Sequence, residues 1–450
     1  MGDLARIFKA YDVRGVVPDE LDEETARAVG AAFVEVTGAG SVVVTHDMRA
    51  SSVPLAEAFA SGAVSRGADV VDTGLGSTDM LYYASGSLGM AGVMFTASHN
   101  PARYNGMKMC RAGAVPIGGE TGLTEIRDRA AELLASGVSE VGAGTVTRRD
   151  LLKGYADHLR TLVDLSGIRP LRVVVDAGNG MAGHTVPVVF EGLPVELTAL
   201  YFELDGTFPN HEANPIEPEN LRDLQKAVLD VGADIGLAFD GDADRCWVVD
   251  ERGESVSPST ITALVAAREL AKQPGATIIH NLITSLGVPE IVAEHGGVPV
   301  RTRVGHSFVK AEMARTGAVF GGEHSAHYYF KDFWFADTGM LAALHVLAAL
   351  GEQDRPLSEI LARFARYAAS GEINSTVADQ RAATARVRRT FEDRDGVTFD
   401  ELDGLTVSGP GWWFNLRPSN TEPLLRLNAE AADEIQMAAI RDEVLAVVRS

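Results

Sequence analysis

Residues 221–245 read Leu-Arg-Asp-Leu-Gln-Lys-Ala-Val-Leu-Asp-Val-Gly-Ala-Asp-Ile-Gly-Leu-Ala-Phe-Asp-Gly-Asp-Ala-Asp-Arg. The first part, 221–231, is amphipathic at helical spacing, and 234–240 is a short apolar run of the kind a buried strand carries. The run ends in Asp240-Gly241-Asp242-Ala243-Asp244-Arg245. A helix leading into a fully buried strand is the unit from which helix-covered sheets are built, so this stretch predicts an α/β fold.

The same rhythm continues in both directions. Strand-like runs fall at 41–45, 69–73, 91–96, 172–176, 276–281 and 298–304, with amphipathic stretches at 23–36, 54–66, 259–272 and 307–316. The pattern occurs three times, in residues 1–150, 151–252 and 253–368, and predicts three related α/β domains with mixed or parallel sheets. Residues 369–450 differ. Strand-like runs at 372–378, 396–399, 412–417 and 424–428 precede a helical stretch at 432–449, the pattern of an α+β domain with an antiparallel sheet.

With 450 residues the chain has room for several cores without disulfide or metal staples. Its 46% hydrophobic and 23% charged residues belong to a folded globular protein and exclude a disordered one. Forty Lys and Arg against 62 Asp and Glu leave a formal charge of −22, which argues against nucleic-acid or anionic-membrane partners. Only Cys110 and Cys246 are present, so no disulfide framework is expected. The N-terminus lacks an apolar signal core, and the apolar stretch 340–350, interrupted by His345, falls short of the about 20 residues a membrane span needs. A cytoplasmic protein, monomeric or weakly homo-oligomeric, is expected.

Four strings carry chemistry. In an extended Asp240–Arg245 segment, alternate carboxylates would share one side and repel. A divalent cation resolves that conflict, and an all-oxygen set favours Mg²⁺, Mn²⁺ or Ca²⁺ over zinc. An EF-hand is excluded, because Arg245 stands where its loop requires Gly and an apolar strand follows. The second string is Thr96-Ala97-Ser98-His99-Asn100-Pro101, where Ser98 at a strand end could be a nucleophile. Downstream, Lys108 could supply a cation or a proton-transfer group. The third, Gly321-Gly322-Glu323-His324-Ser325-Ala326-His327, could hydrogen-bond a polyol. The fourth, Arg417-Pro418-Ser419-Asn420-Thr421-Glu422-Pro423, has the composition of a phosphate cradle. Further cations stand in Lys9–Gly15, which holds Arg14, and in Arg303–Lys310, which holds His306, a candidate substrate-binding residue.

Taken in order, these strings resemble the α-D-phosphohexomutase superfamily, and more narrowly the bacterial phosphomannomutase/phosphoglucomutase group. The resemblance runs through the whole chain, one motif per domain. It implies three related mixed-sheet α/β domains plus a C-terminal α+β domain around a central cleft. It implies a hexose 6-phosphate/1-phosphate mutase working through a phosphoserine at Ser98 and a hexose 1,6-bisphosphate. Mg²⁺ would be held by Asp240, Asp242, Asp244 and the Ser98 phosphate. Glu323 and Ser325 would bind sugar hydroxyls, and Arg417, Ser419, Asn420 and Thr421 the phosphate that is not reacting. Arg14, Lys108, Arg245 and His327 match positions near the transferring phosphoryl group, with Lys108 and His327 the proton-transfer candidates.

This chain departs from the family pattern at Thr45, where Gly is usual, at Ala97, and at His324. Met at the last position goes with dual mannose/glucose enzymes and Gln with glucosamine enzymes. His324 is expected to disfavour glucosamine phosphate by placing a second cation near the amine. Mannose, and with it glucose, is the expected sugar. A phosphoglucosamine mutase, a sugar-phosphate hydrolase and a non-catalytic binding relative are the competing readings.

Overall fold

The computed structural model describes residues 4–418 and 424–450. The chain forms two compact units, one of Met1–Val256 with Ser325–Ile360, the other of Ser257–His324 with Leu361–Ser450.

The first unit holds two whole sheets and the antiparallel pair Tyr328–Phe330 with Ala336–Asp337. The larger runs in the order Val13–Val16, Tyr104–Arg111, Ala91–Phe95, Ser41–His46, Asp69–Leu75, Val146–Arg148, with the short Val115–Pro116 paired to Tyr104–Arg111. Its last four strands are mutually parallel, while Tyr104–Arg111 is antiparallel to both neighbours on that path. Helices Glu23–Thr37, Ser52–Val64, Thr78–Leu88 and Thr124–Ser136 belong to the same unit. Phe33, Phe59 and Phe95 are fully buried and meet ring to ring at 5.7 Å.

The second sheet explains the opening stretch. Helix Arg222–Val231 ends at Gly232, whose φ of 60° is the left-handed cap glycine supplies cheaply. The chain then enters Ile235–Phe239, parallel to Leu171–Asp176 and antiparallel to Cys246–Asp250. All five residues are buried, which accounts for a run without alternation. The apolar stretch with His345 is helix Gly339–Gly351, buried at every residue. Among the described residues no helix is long and apolar enough to cross a membrane.

In the second unit, parallel strands Val298–Thr302, Thr277–Asn281 and Phe320–Gly322 pair in that order. An antiparallel sheet follows, in the order Ala368–Thr376, Leu424–Ala431, Trp412–Pro418, Leu405–Gly409, Thr398–Asp400. Helices Gln380–Phe391 and Glu434–Val448 close its core over Phe391, Phe414 and Val444. The sequence reading misses helix Gln380–Phe391, whose Ala- and Arg-rich face buries only Ala383, Val387 and Phe391, and strand Leu405–Gly409, whose five residues lie between turns.

Candidate active site

Strand Ala91–Phe95 delivers the chain to Thr96, whose hydroxyl accepts the Ser98 N–H at 2.9 Å. Ser98 has φ 51°, a left-handed conformation that costs a side-chain-bearing residue roughly 1–2 kcal/mol. What holds it there is Arg49. Its guanidinium donates to the carbonyls of Ser98 (2.9 Å), Asn100 (2.7 Å), Pro101 (3.0 Å) and Tyr104 (3.0 Å). Arg49 is 2% exposed, and its charge is matched by the Asp47 carboxylate at 3.2 Å. Burial pushes the Asp47 carboxyl up, and Arg49 opposes that shift.

The Ser98 hydroxyl donates to Asp240 Oδ2 at 2.8 Å, 142 positions away in the chain. Asp240 opens the connection between Ile235–Phe239 and Cys246–Asp250, where Phe239 faces Cys246. Residues 240–245 are not the extended segment that their alternating carboxylates predict. They form a tight reversal, because antiparallel partners require one: the Ala243 N–H donates to the Asp240 carbonyl at 3.0 Å and Ala243 has φ 58°. The turn gathers the carboxylates by curvature, and oxygens of Asp240, Asp242 and Asp244 lie within 4.8 Å of one another, all three residues buried. Gly241 is required here, since a Cβ would stand 2.5 Å from the Ser98 carbonyl oxygen.

Three buried carboxylates need compensation. Lys108 Nζ bridges Asp242 Oδ2 (2.6 Å) and Asp244 Oδ2 (2.5 Å), and Arg245 holds Asp240 Oδ2 through Nε (2.9 Å) and Nη2 (2.7 Å). Burial pushes Asp240 up to about 7, against Arg245 and with the other two aspartates. Burial would also raise Asp242, but Lys108 and the Thr78 hydroxyl outweigh it and hold that carboxyl below its usual range. Lys108 is depressed by burial and raised more by Asp242 and Asp244, so it stays an ammonium. Asp242 Oδ1 and Asp244 Oδ1 are buried without a hydrogen-bond partner among the described residues. An all-oxygen set with two orphaned carboxylate oxygens fits a hard divalent cation.

Around this centre, Arg14 donates to the Asn100 side chain (2.6 Å) and to Asp12 (2.6 Å). Arg245 Nη2 reaches the Ser98 hydroxyl (3.2 Å) and His99 Nδ1 (2.6 Å). Burial, reinforced by Arg245, holds His99 below its usual range as a neutral acceptor. His327 Nδ1 pairs with the Ser325 hydroxyl at 2.9 Å, and ligand atoms of His327, Asp244 and Asp337 lie within 4.8 Å of one another. Ser98, Arg14, Lys108, Arg245, Ser325, His327 and the three aspartates therefore belong to one unit.

Glu323, His306 and Arg417 fall in the other unit. Glu323 Oε1 accepts from Asn281 Nδ2 (3.0 Å) and from the Gly305 N–H (3.1 Å), immediately before His306 opens helix His306–Thr316. Arg417 stands at the end of Trp412–Pro418, with Glu372 at 3.6 Å and Asp403 at 3.8 Å. Ser419, Asn420 and Thr421 lie outside the described residues. His324 is corrected by its surroundings. Burial holds its imidazole below the usual range, only partly offset by Glu372, and Nδ1 lies 3.3 Å from the Ser259 hydroxyl. It is a neutral side chain and brings no second cation.

Sequence reading passed over Arg49, Thr78 and Asn281. Arg49 stands in Asp47-Met48-Arg49, directly after strand Ser41–His46, and that cluster of charge beside a strand is the available signal. Thr78 and Asn281 give none, because a single hydroxyl or amide acquires meaning only from its partner in space.

Four family models match the chain: phosphoglucomutase/phosphomannomutase alpha/beta/alpha domain I over residues 5–135, domain II over 153–253, domain III over 257–367, and the C-terminal domain over 372–447. A protein of Xanthomonas campestris pv. campestris named for phosphohexose mutases is 43% identical over 439 residues, 97% of either chain. A phosphomannomutase of Escherichia coli is 42% identical over 451 residues, covering 98% of this chain and 99% of its own. The crystal structure of a phosphoglucomutase/phosphomannomutase family protein from Burkholderia thailandensis superposes with a TM-score of 0.89 at 34% identity, covering 100% of this chain and 98% of its own. With Ser98 against a buried triple-aspartate turn and relatives matched end to end, the chain belongs to the phosphoglucomutase/phosphomannomutase family.

Proposed function

We propose that the chain is a hexose-phosphate mutase that interconverts the 6-phosphate and 1-phosphate of mannose, and also of glucose, through a phosphoserine at Ser98. The observation that carries this reading is the Ser98 hydroxyl, 2.8 Å from Asp240 and 3.2 Å from Arg245, in a site where Lys108 stays cationic. Phosphoryl transfer asks for placement of the group and neutralisation of its oxygens. Mg²⁺ held by Asp240, Asp242, Asp244 and a Ser98 phosphate oxygen supplies positive charge for that purpose when bound.

The chain's own residues supply the rest. Arg14, Lys108 and Arg245 surround the transferring group with fixed charge. The bond from phosphorus to the Ser98 oxygen breaks as the bond to a sugar hydroxyl oxygen forms. His327, whose Nδ1 pairs with the Ser325 hydroxyl, takes the hydroxyl proton. Glu323, Ser325 and His306 orient sugar hydroxyls, and Arg417 with Ser419, Asn420 and Thr421 grips the phosphate that is not reacting. The hexose 1,6-bisphosphate then turns over and returns its other phosphate to Ser98. The reading assigns residues 1–150 to the phosphoserine domain, 151–252 to the metal domain, 253–368 to the sugar domain and 369–450 to the distal phosphate domain. Cys110 and Cys246, both buried, form no disulfide, which suits the cytoplasm in which we place the enzyme.

A coupled assay with and without trace hexose 1,6-bisphosphate tests the class of reaction. The proposal expects stimulation by the bisphosphate and no steady release of phosphate; steady hydrolysis without product isomer contradicts it. Run side by side on mannose, glucose and glucosamine phosphates, the same assay should show the two hexoses within about 1–3 kcal/mol in kcat/KM, the scale of a small pocket difference. A preference for glucosamine phosphate over both overturns the sugar assignment.

A further inference from the structure

One oxygen of the Asp242 carboxylate is engaged and the other is not. Oδ2 accepts from the Thr78 hydroxyl at 2.5 Å and from Lys108 at 2.6 Å, whereas Oδ1 is buried with no hydrogen-bond partner among the described residues. Lys108 is shared with Asp244, so Thr78 is the contact that belongs to Asp242 alone. Thr78 also holds the backbone of the turn: its N–H donates to the Asp242 carbonyl at 3.0 Å. It is the first residue of helix Thr78–Leu88, and its side chain is fully buried.

Thr78 is itself fixed in place. The neighbouring Asp79 carboxylate accepts from the Tyr155 hydroxyl at 2.6 Å and from the Thr338 hydroxyl at 2.7 Å, tying the start of the helix to two distant segments. The terminal torsion of an aspartate is broad and nearly twofold, so a carboxylate without a clamp can turn either oxygen away from its neighbours.

We propose that Thr78 is a positioning residue for the carboxylate turn: its hydroxyl fixes the Asp242 side chain so that the unengaged oxygen is presented to a divalent cation shared with Asp240 and Asp244. The inference rests on the reading of that turn as the metal site. Hydrogen-bonding partners of metal ligands set affinity by roughly 10–100-fold.

The test is a binding measurement on the full chain. Thr78→Val keeps the shape and removes the hydroxyl, and Thr78→Ser restores it. Manganese(II) affinity is read from the electron paramagnetic resonance signal of the free ion, and magnesium affinity by calorimetry. The expected result is one equivalent bound to wild type, binding roughly 10–100-fold weaker in Thr78→Val, and recovery in Thr78→Ser, with metal-free circular dichroism unchanged. Wild-type affinity in Thr78→Val overturns the proposal while leaving the metal site standing. Binding by Asp242→Asn as tight as wild type overturns the metal reading and this inference together. If Thr78→Val and Thr78→Ala both fail to fold, the hydroxyl is structural and the proposal fails as well.

Discussion

Asp240, Asp242 and Asp244 illustrate how one side chain type takes different states from different neighbours: Lys108 and Thr78 keep Asp242 ionised, while burial pushes Asp240 up to about 7. That a serine, carboxylates and cations come together was legible in the strings around Ser98 and Asp240, because these residue types stand in local runs. Their states were not, since charge depends on partners more than 100 positions away. His324 was misread for that reason, and His280 is a second buried imidazole whose titration follows from its surroundings. Burial lowers His280 to about 4, opposed by its contact with the Asn281 carbonyl and reinforced by Arg301. The unfolded chain binds this proton near pH 6.5 and the folded chain does not. Stability from His280 is therefore complete above pH 6.5 and is lost as pH falls toward 4, by about 3 kcal/mol at full extent. Urea midpoints at pH 7 and pH 5 should differ less in His280→Gln than in wild type; an equal difference in both contradicts the assignment.

At the scale of elements, the parallel core strands and their helices were legible wherever periodicity was strong, as in the strand Ile235–Phe239 with its helix Arg222–Val231. Strand Tyr104–Arg111 was not, although it carries Lys108 on the path between Val13–Val16 and Ala91–Phe95. Its Asn, Gly and Lys break the apolar signal because a sheet strand that bears a functional cation cannot be uniformly hydrophobic. The loop between Ile235–Phe239 and Cys246–Asp250 is the element whose geometry matters most. Its backbone touches the serine loop at Gly241, where an added methyl meets a backbone oxygen at 2.5 Å and neither side can yield without moving. Gly241→Ala should displace one loop from the other. Misplacement of about 1 Å costs on the order of a hundredfold in rate. The predicted phenotype is a kcat reduced by about that factor with an unchanged circular dichroism spectrum; wild-type kcat shows that the two loops need not keep this contact.

For the molecule as a whole, four motifs in order along the chain were enough to point to the family, because each marks a different segment and chance resemblance to all four is small. The composition was informative in a narrower way. Against a formal charge of −22, the serine loop gathers Arg14, Lys108 and Arg245, a local cluster of cations within an acidic protein. What no local pattern conveyed is that residues 325–360 fold with the first 256 residues, carrying His327 into the unit of Ser98. The central claim is that Ser98 carries the phosphate that is exchanged. Its most direct test is intact-mass analysis and peptide mapping after incubation with hexose 1,6-bisphosphate, for wild type and Ser98→Ala. The account predicts one phosphate on the peptide holding Ser98 in wild type, none in the variant, and loss of mutase turnover with it. Near-normal turnover by Ser98→Ala, or phosphate gained elsewhere in the chain, contradicts it.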